Sequence, residues 1–172
     1  MALKRVVVTG LGALTPIGNN LDDFWTGLIE GKSGAAPITY FDTEKFKTKF
    51  ACELKNFDVS LHLDRKQQRK MDRFTQYGMV STEEAIRNSG LDLEKVDKLR
   101  VGVIWGSGIG GIETFQNQML DHASGDGTPR FNPFFIPKMI ADITPGYISM
   151  NYGFMGPNYT TCLLYTSPSP RD

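Results

Sequence analysis

The chain has 172 residues, balances 19 Lys+Arg against 19 Asp+Glu, and is 40% hydrophobic with 18 glycines, the makeup of a soluble globular protein rather than a disordered one. That length suits one domain of about 100–200 residues burying roughly 70% of its unfolded surface, so a substantial core is available without disulfide or metal staples. Zero net charge argues against a general nucleic-acid binder, no apolar run reaches the roughly 18 residues of a membrane span, and the opening Met-Ala-Leu-Lys-Arg shows neither a signal nor a transit peptide.

Residues 4–9 place a basic pair before Val6-Val7-Val8 and run into Gly10-Leu11-Gly12, which predicts a buried parallel strand ending in a glycine turn. From Asn20 the period changes. Leu21, Phe24, Trp25, Leu28 and Ile29 fall at i, i+3, i+4, i+7 and i+8, with Asn20 as N-cap and Gly31 at the end, predicting an amphipathic helix. Its five large apolar side chains would gain on the order of 8–15 kcal/mol gross if fully buried. Residues 32–60 read as irregular, with one short strand around 50–54. Residues 64–89 read as one helix with small residues Gly78, Ser81 and Ala85 on a packing face, stopped by Gly90. A second buried strand follows over 99–105, then Gly106-Ser107-Gly108-Ile109-Gly110-Gly111, a helix over 112–122, a long loop over 124–137, and a helix over 143–152 with Pro145 in its first turn. Strand and helix alternate, so the fold class is α/β.

A third strand should run after Gly156-Pro157-Asn158-Tyr159-Thr160-Thr161, yet residues 162–172 read Cys-Leu-Leu-Tyr-Thr-Ser-Pro-Ser-Pro-Arg-Asp. This string resembles the translation of a transposase adaptor used in sequencing libraries. The expectation is therefore a domain over residues 1–161 followed by read-through that is not native protein.

The glycine run satisfies G-x-G-x-x-G between a strand and a helix, the context of a dinucleotide site. Such a site needs an acid at the end of a second strand about 20 residues on, and the window His122-Ala123-Ser124-Gly125-Asp126-Gly127 supplies no such strand. The glycines instead predict close backbone approach to another segment or a ligand. Cys162 lacks a small-residue elbow and a following helix, so it reads as an incidental thiol; Cys52 reads as a packing residue. His62 and His122 have no partner motif and read as surface residues. No metal site or cofactor is predicted, and two cysteines without scaffold spacing favour a reducing cytoplasm. Arg65, Lys66, Arg69 and Lys70 form a local positive patch on a neutral protein, since residues four apart share a helix face.

Three stretches taken together resemble the β-ketoacyl-acyl-carrier-protein synthase II family: Arg5-Val6-Val7-Val8-Thr9-Gly10-Leu11-Gly12 with Thr15-Pro16-Ile17-Gly18, the glycine run at 106–111, and Pro133-Phe134-Phe135-Ile136-Pro137 leading to Gly156-Pro157. The resemblance implies a thiolase-like fold, of which this chain holds most of the N-terminal half. It implies an acyltransferase that condenses an enzyme-bound acyl group with decarboxylated malonyl-carrier protein in fatty acid elongation, as a cytoplasmic homodimer with acyl carrier protein as partner. By the same resemblance, Ile109, Phe134 and Phe135 bind the acyl chain, and Lys66, Arg69, Lys70 and Arg130 meet the acidic carrier protein. The family's nucleophilic cysteine would stand where Tyr165 is, and its catalytic histidines have no match at His62 or His122, so no catalytic residue is assigned and the chain is expected to be inactive. A polyketide-type ketosynthase fragment and a non-catalytic carrier-protein-binding module are the alternatives.

Overall fold

The computed structural model describes residues 4–162, the last of them by its backbone alone. In chain order the elements are α1 (Leu21–Ile29), β1 (Ala36–Pro37), β2 (Phe50–Ala51), α2 (Arg65–Lys70), α3 (Arg73–Ser89), β3 (Val103–Ser107), α4 (Ile112–Ser124), α5 (Phe135–Met139), α6 (Ile143–Tyr152) and β4 (Asn158–Cys162), with short 3-10 turns at Val59–Leu61 and Lys98–Arg100. The expected tail lies outside the described residues, except that the backbone of Cys162 closes β4. Two compact units divide the chain. One holds the residues up to Asp58 with Val80–Leu91; the other holds Val59–Met79 and the residues from Asp92 on.

In the first unit α1 forms as its caps dictate. The Asn20 side chain accepts from the Asp23 backbone N–H at 2.9 Å, and Gly31 turns the chain away with φ of 64°. A second acceptor comes from far along the chain: Glu84 Oε1 takes the N–H of Leu21 at 2.8 Å while its Oε2 takes that of Ala13 at 2.8 Å. One carboxylate thus satisfies an orphan donor at the start of α1 and ties down the segment before it. The expected burial of the α1 apolar face is only partial, since Trp25, Leu28 and Ile29 remain exposed.

Residues 4–9 are not a strand. Val6, Val7 and Val8 are 91%, 58% and 80% exposed, and no ladder is assigned to them among the described residues. A parallel strand draws its stability from neighbours on both edges, which local apolarity cannot supply. Just downstream the glycine expectation holds: a Cβ on Gly12 would strike the carbonyl oxygen of Ser81 on α3, so the chain passes that helix at glycine distance. The strand expected around residue 50 is only β2, paired antiparallel with β1, which the sequence did not signal. Cys52 is exposed, not packed.

In the second unit β3 and β4 pair in parallel, Val103 opposite Asn158 through Ser107 opposite Cys162. The strand expected from residue 99 therefore begins later, because Lys98–Arg100 is a 3-10 turn started by the Asp97 side chain. Helix α6, with the predicted bounds, packs on this pair through Ile148, which is 3% exposed. Gly78 of α3 lies against the Trp105 ring, its would-be Cβ only 2.7 Å from that ring's edge. The opposite face carries the register partners Ile104 and Tyr159, both exposed. Thr75 and Thr144, each 0% exposed, join α3 to α6 by a hydroxyl hydrogen bond of 2.9 Å.

The helix expected over 64–89 is two helices. Asp64 begins α2 with a full capping box to Gln67, and Met71 then turns extended, with φ of −115° and ψ of 141°. The break is held from the next helix, where the Gln76 side-chain amide donates to the carbonyls of Gln68 at 3.2 Å and Met71 at 3.3 Å. The Gln68 carbonyl also accepts the Met71 N–H at 3.4 Å, so the amide adds a second donor at the end of α2.

Candidate functional site

The break after α2 sets its basic face at the rim of a groove. Lys66, Arg69 and Lys70 line one wall; Asn132, Pro133, Phe134 and Lys138 line the rest of a hollow of about 470 Å³. Phe134 begins the second wall. Its N–H is taken by the Asn132 side chain at 2.8 Å, and the backbone N–H of Asn132 in turn donates to Gln118 Oε1 at 2.6 Å. The Lys70 ammonium stands 5.6 Å from the centroid of the Phe134 ring, a cation over an aromatic face that leaves its charge available to a ligand.

The segment expected to be loop through residue 137 contains α5. Pro137 is its third residue, within the first turn, where a backbone N–H has no intrahelical acceptor and its loss costs nothing. With this helix formed, Phe134 and Lys138 stand four residues apart, and Lys138 joins the basic groove. Sequence reading missed Lys138; the spacing from Phe134 was the available signal, hidden by the two prolines around it.

The other expected binding residues go elsewhere. Phe135 leaves the groove for an aromatic cluster, with its ring centroid 6.2 Å from Phe115 and 5.6 Å from Phe131, both stacked. His122 closes the cluster at 5.4 Å from Phe131 and is exposed, as expected of a surface histidine. Ile109 is 72% exposed on the loop after β3 and does not line the groove that Phe134 lines. Arg130 is committed to Asp126, its Nη2 3.0 Å from that carboxylate, and does not line the groove either. Hydrogen bonds from Thr128, backbone first and then side chain, hold the Asp126 carboxyl below its ordinary value, with Arg130 adding to them.

The glycine loop packs as its composition predicts. A Cβ on Gly110 would come within 2.5 Å of the Met139 carbonyl oxygen, one on Gly111 would overlap that of Lys138, and the Gly111 N–H donates to Met139 at 2.9 Å. The run therefore serves backbone contact with the end of α5, as the alternative to a nucleotide site requires. Beside it lies a smaller polar hollow of about 280 Å³ lined by Gln68, Asp72, Arg73, Glu113, Thr114 and Lys138 among others. Its carboxylates are occupied: Arg73 pairs with Glu113 at 3.3 Å, and the Thr114 hydroxyl donates to Asp72. Among the described residues no group of His, Cys, Asp and Glu could hold a metal ion.

With this geometry in place, comparison with known proteins decides the family. The model of the beta-ketoacyl synthase N-terminal domain matches residues 3–162. The chain belongs to the beta-ketoacyl synthase family. It is 45% identical over 161 residues to 3-oxoacyl-[acyl-carrier-protein] synthase 2 of Staphylococcus aureus strain COL, covering 92% of this chain and 38% of that protein. The enzyme of the same name from Synechocystis sp. is 44% identical over a stretch of the same length. Among solved structures, the ishigamide ketosynthase/chain length factor superposes with a TM-score of 0.84 at 26% identity, over 94% of this chain and 40% of that one. A type II PKS ketosynthase solved in complex with its acyl-carrier protein superposes with a TM-score of 0.71 at 26% identity, over 90% of this chain and 41% of that one. The fold is accordingly the thiolase-like α/β fold of ketosynthases in its N-terminal part, and the chain spans under two-fifths of the length of the curated beta-ketoacyl synthases it matches.

Proposed function

We propose that this chain is the N-terminal part of a 3-oxoacyl-acyl-carrier-protein synthase of fatty acid elongation, and that its own contribution is to receive acyl carrier protein. The observation that carries the reading is the groove of Lys66, Arg69, Lys70 and Lys138 around Phe134, in a chain 45% identical to synthases of that name. Clustered cations with their charge exposed speed encounter with an acidic partner and fix its orientation. In the whole enzyme, an acyl group passes from the carrier's thioester to a cysteine thiolate, freeing the carrier thiol. Malonyl-carrier protein loses carbon dioxide, and the resulting carbanion attacks the acyl thioester and expels the cysteine. Here Tyr165 stands where the resemblance expects that cysteine, so the chain alone binds the carrier without condensing. Ile109 on the loop after β3, with Phe134 and Phe135, is proposed to meet the acyl chain, and Arg130 to reach the carrier protein, in a cytoplasmic homodimer of the full-length enzyme.

A polyketide-type ketosynthase is the second reading, favoured by the type II PKS complex, but the identity to it is 26% against 45% for the fatty-acid synthases. A non-catalytic carrier-protein-binding module is the third. Two experiments test the docking role and separate the two ketosynthase readings from the binding module. Purified chain is expected to bind acyl carrier protein in a salt-sensitive way, and Lys66→Glu with Arg69→Glu to abolish the binding; unchanged binding would remove the docking role. Resequencing the source gene across the Thr161 codon, by a method free of transposase adaptors, is expected to find the frame continuing to a cysteine on a small-residue turn. A gene that ends at the Asp172 codon would leave only the binding module.

A further inference from the structure

We infer that a single water molecule is bound inside the second unit, bridging the indole N–H of Trp105 on β3 to the hydroxyl of Thr160 on β4. The site shares no residue with the basic groove and does not depend on the carrier-protein reading. Among the described residues, two buried side-chain polar atoms have no hydrogen-bond partner, and these are Trp105 Nε1 and Thr160 Oγ1. They are not scattered. Trp105 and Thr160 are register partners in the parallel ladder, so their side chains leave adjacent strands at neighbouring positions on one face of the sheet.

That face lies under helices. The edge of the Trp105 ring and the methyl of Thr144 on α6 come within 2.7 and 2.8 Å of where a Cβ on Gly78 of α3 would stand. Cζ2 of the ring, which shares a bonded neighbour with Nε1, is 3.1 Å from the same point, so the N–H end of the indole sits beneath both helices. Two residues before Thr160 on this face, the Asn158 side-chain amide donates to the Pro145 carbonyl at 2.9 Å and to Ser149 Oγ at 2.6 Å, both on α6. Thr75 and Thr144 satisfy each other at 2.9 Å. Polar side chains around the site thus find partners within the protein, and the Trp105 and Thr160 atoms do not. A buried N–H or hydroxyl left dry gives up its bonds to solvent for nothing, and protein interiors resolve this with ordered water. The chemistry selects water. The indole can only donate and the hydroxyl can do either, so one water accepts from Trp105 and donates to Thr160.

The test combines urea unfolding of the 172-residue chain with oxygen-17 relaxation dispersion of the solvent, which registers whole water molecules held longer than the protein tumbles and ignores exchanging hydroxyl hydrogens. Thr160→Val removes the hydroxyl but keeps the β-branched shape that strands favour. It strips the water of one partner and strands the indole, so the folding equilibrium constant is expected to fall roughly fivefold or more, with the dispersion amplitude lower by one water. Trp105→Phe, which removes the N–H, should lose the same water, and Thr160→Ser should retain it. The control is Tyr159→Phe, which removes a hydroxyl from the opposite, exposed face and should change neither reading. An unchanged amplitude in both Thr160→Val and Trp105→Phe overturns the inference. With a constant that holds or rises in Thr160→Val, the two atoms are then dry; with one that falls, they bond each other directly in solution. Loss of water from only one of the two variants places it on a single group and overturns the bridge.

Discussion

Two segments of this chain read alike in the sequence and fold differently. Residues 4–9 and the stretch leading to Trp105 are both short, β-branched and followed by glycines, the pattern of a parallel strand buried on both faces. Only the second is one. Val103–Ser107 has β4 hydrogen-bonded along its length and α6 over one face, whereas Val6 and Val8 are 91% and 80% exposed. The chain just beyond residues 4–9 is held instead by side chains: the N–H of Leu11 by Asn88 at 3.0 Å and that of Ala13 by Glu84. Apolar, β-branched sequence confers the capacity to be a strand; a ladder partner and a covering helix realise it.

The largest expected effect tests the covering helix. Ile148, at 3% exposure, is the main apolar side chain that α6 buries, and Ile148→Ala should cost about 2–5 kcal/mol, read from urea unfolding of the purified chain. A cost under about 1 kcal/mol would mean that α6 is not what distinguishes β3 from the exposed segment.

The same contrast explains what the sequence disclosed. Helices α1 and α6 appear with the predicted bounds because their signals are local: the Asn20 cap and apolar stripe of the first, the tolerated Pro145 and closing Gly153 of the second. The break at Met71 was not legible, since it is held by Gln76 from the following helix rather than by any helix-breaking residue. The candidate site divides likewise. The basic face of α2 follows from spacing, and so was visible. The recruitment of Lys138 depends on α5 forming with Pro137 inside it, and the place of Arg130 outside the groove, paired with a carboxylate four residues earlier, only matters once the groove's location is known. The Thr75–Thr144 bond joins residues 69 apart, beyond the reach of any periodicity.

That buried hydroxyl pair gives the intermediate effect. Thr75→Val leaves Thr144 without its partner at 0% exposure, and the expected loss is about 1–3 kcal/mol. Adding Thr144→Val removes the stranded hydroxyl, so the double variant should recover part of that loss in a double-mutant cycle. Strictly additive losses would show that the two threonines act separately and that the bond does not help fix α6 over the sheet.

The smallest effect is the sharpest test of the comparison, because it predicts almost nothing where the sequence predicts a great deal. Were residues 4–9 the buried strand their composition suggests, trimming Val6 or Val8 to alanine would remove packed methyl groups and cost about 1 kcal/mol or more each. At 91% and 80% exposure those methyl groups already face solvent, so Val6→Ala and Val8→Ala should each shift unfolding by no more than about 0.5 kcal/mol. Valine at 103, opposite Asn158 in the ladder and partly buried, is the internal reference, and Val103→Ala should cost more than either. Equal losses at all three positions would mean that something covers residues 4–9 in solution. The distinction drawn between the two segments would then lie in their partners' availability and not in their folded state.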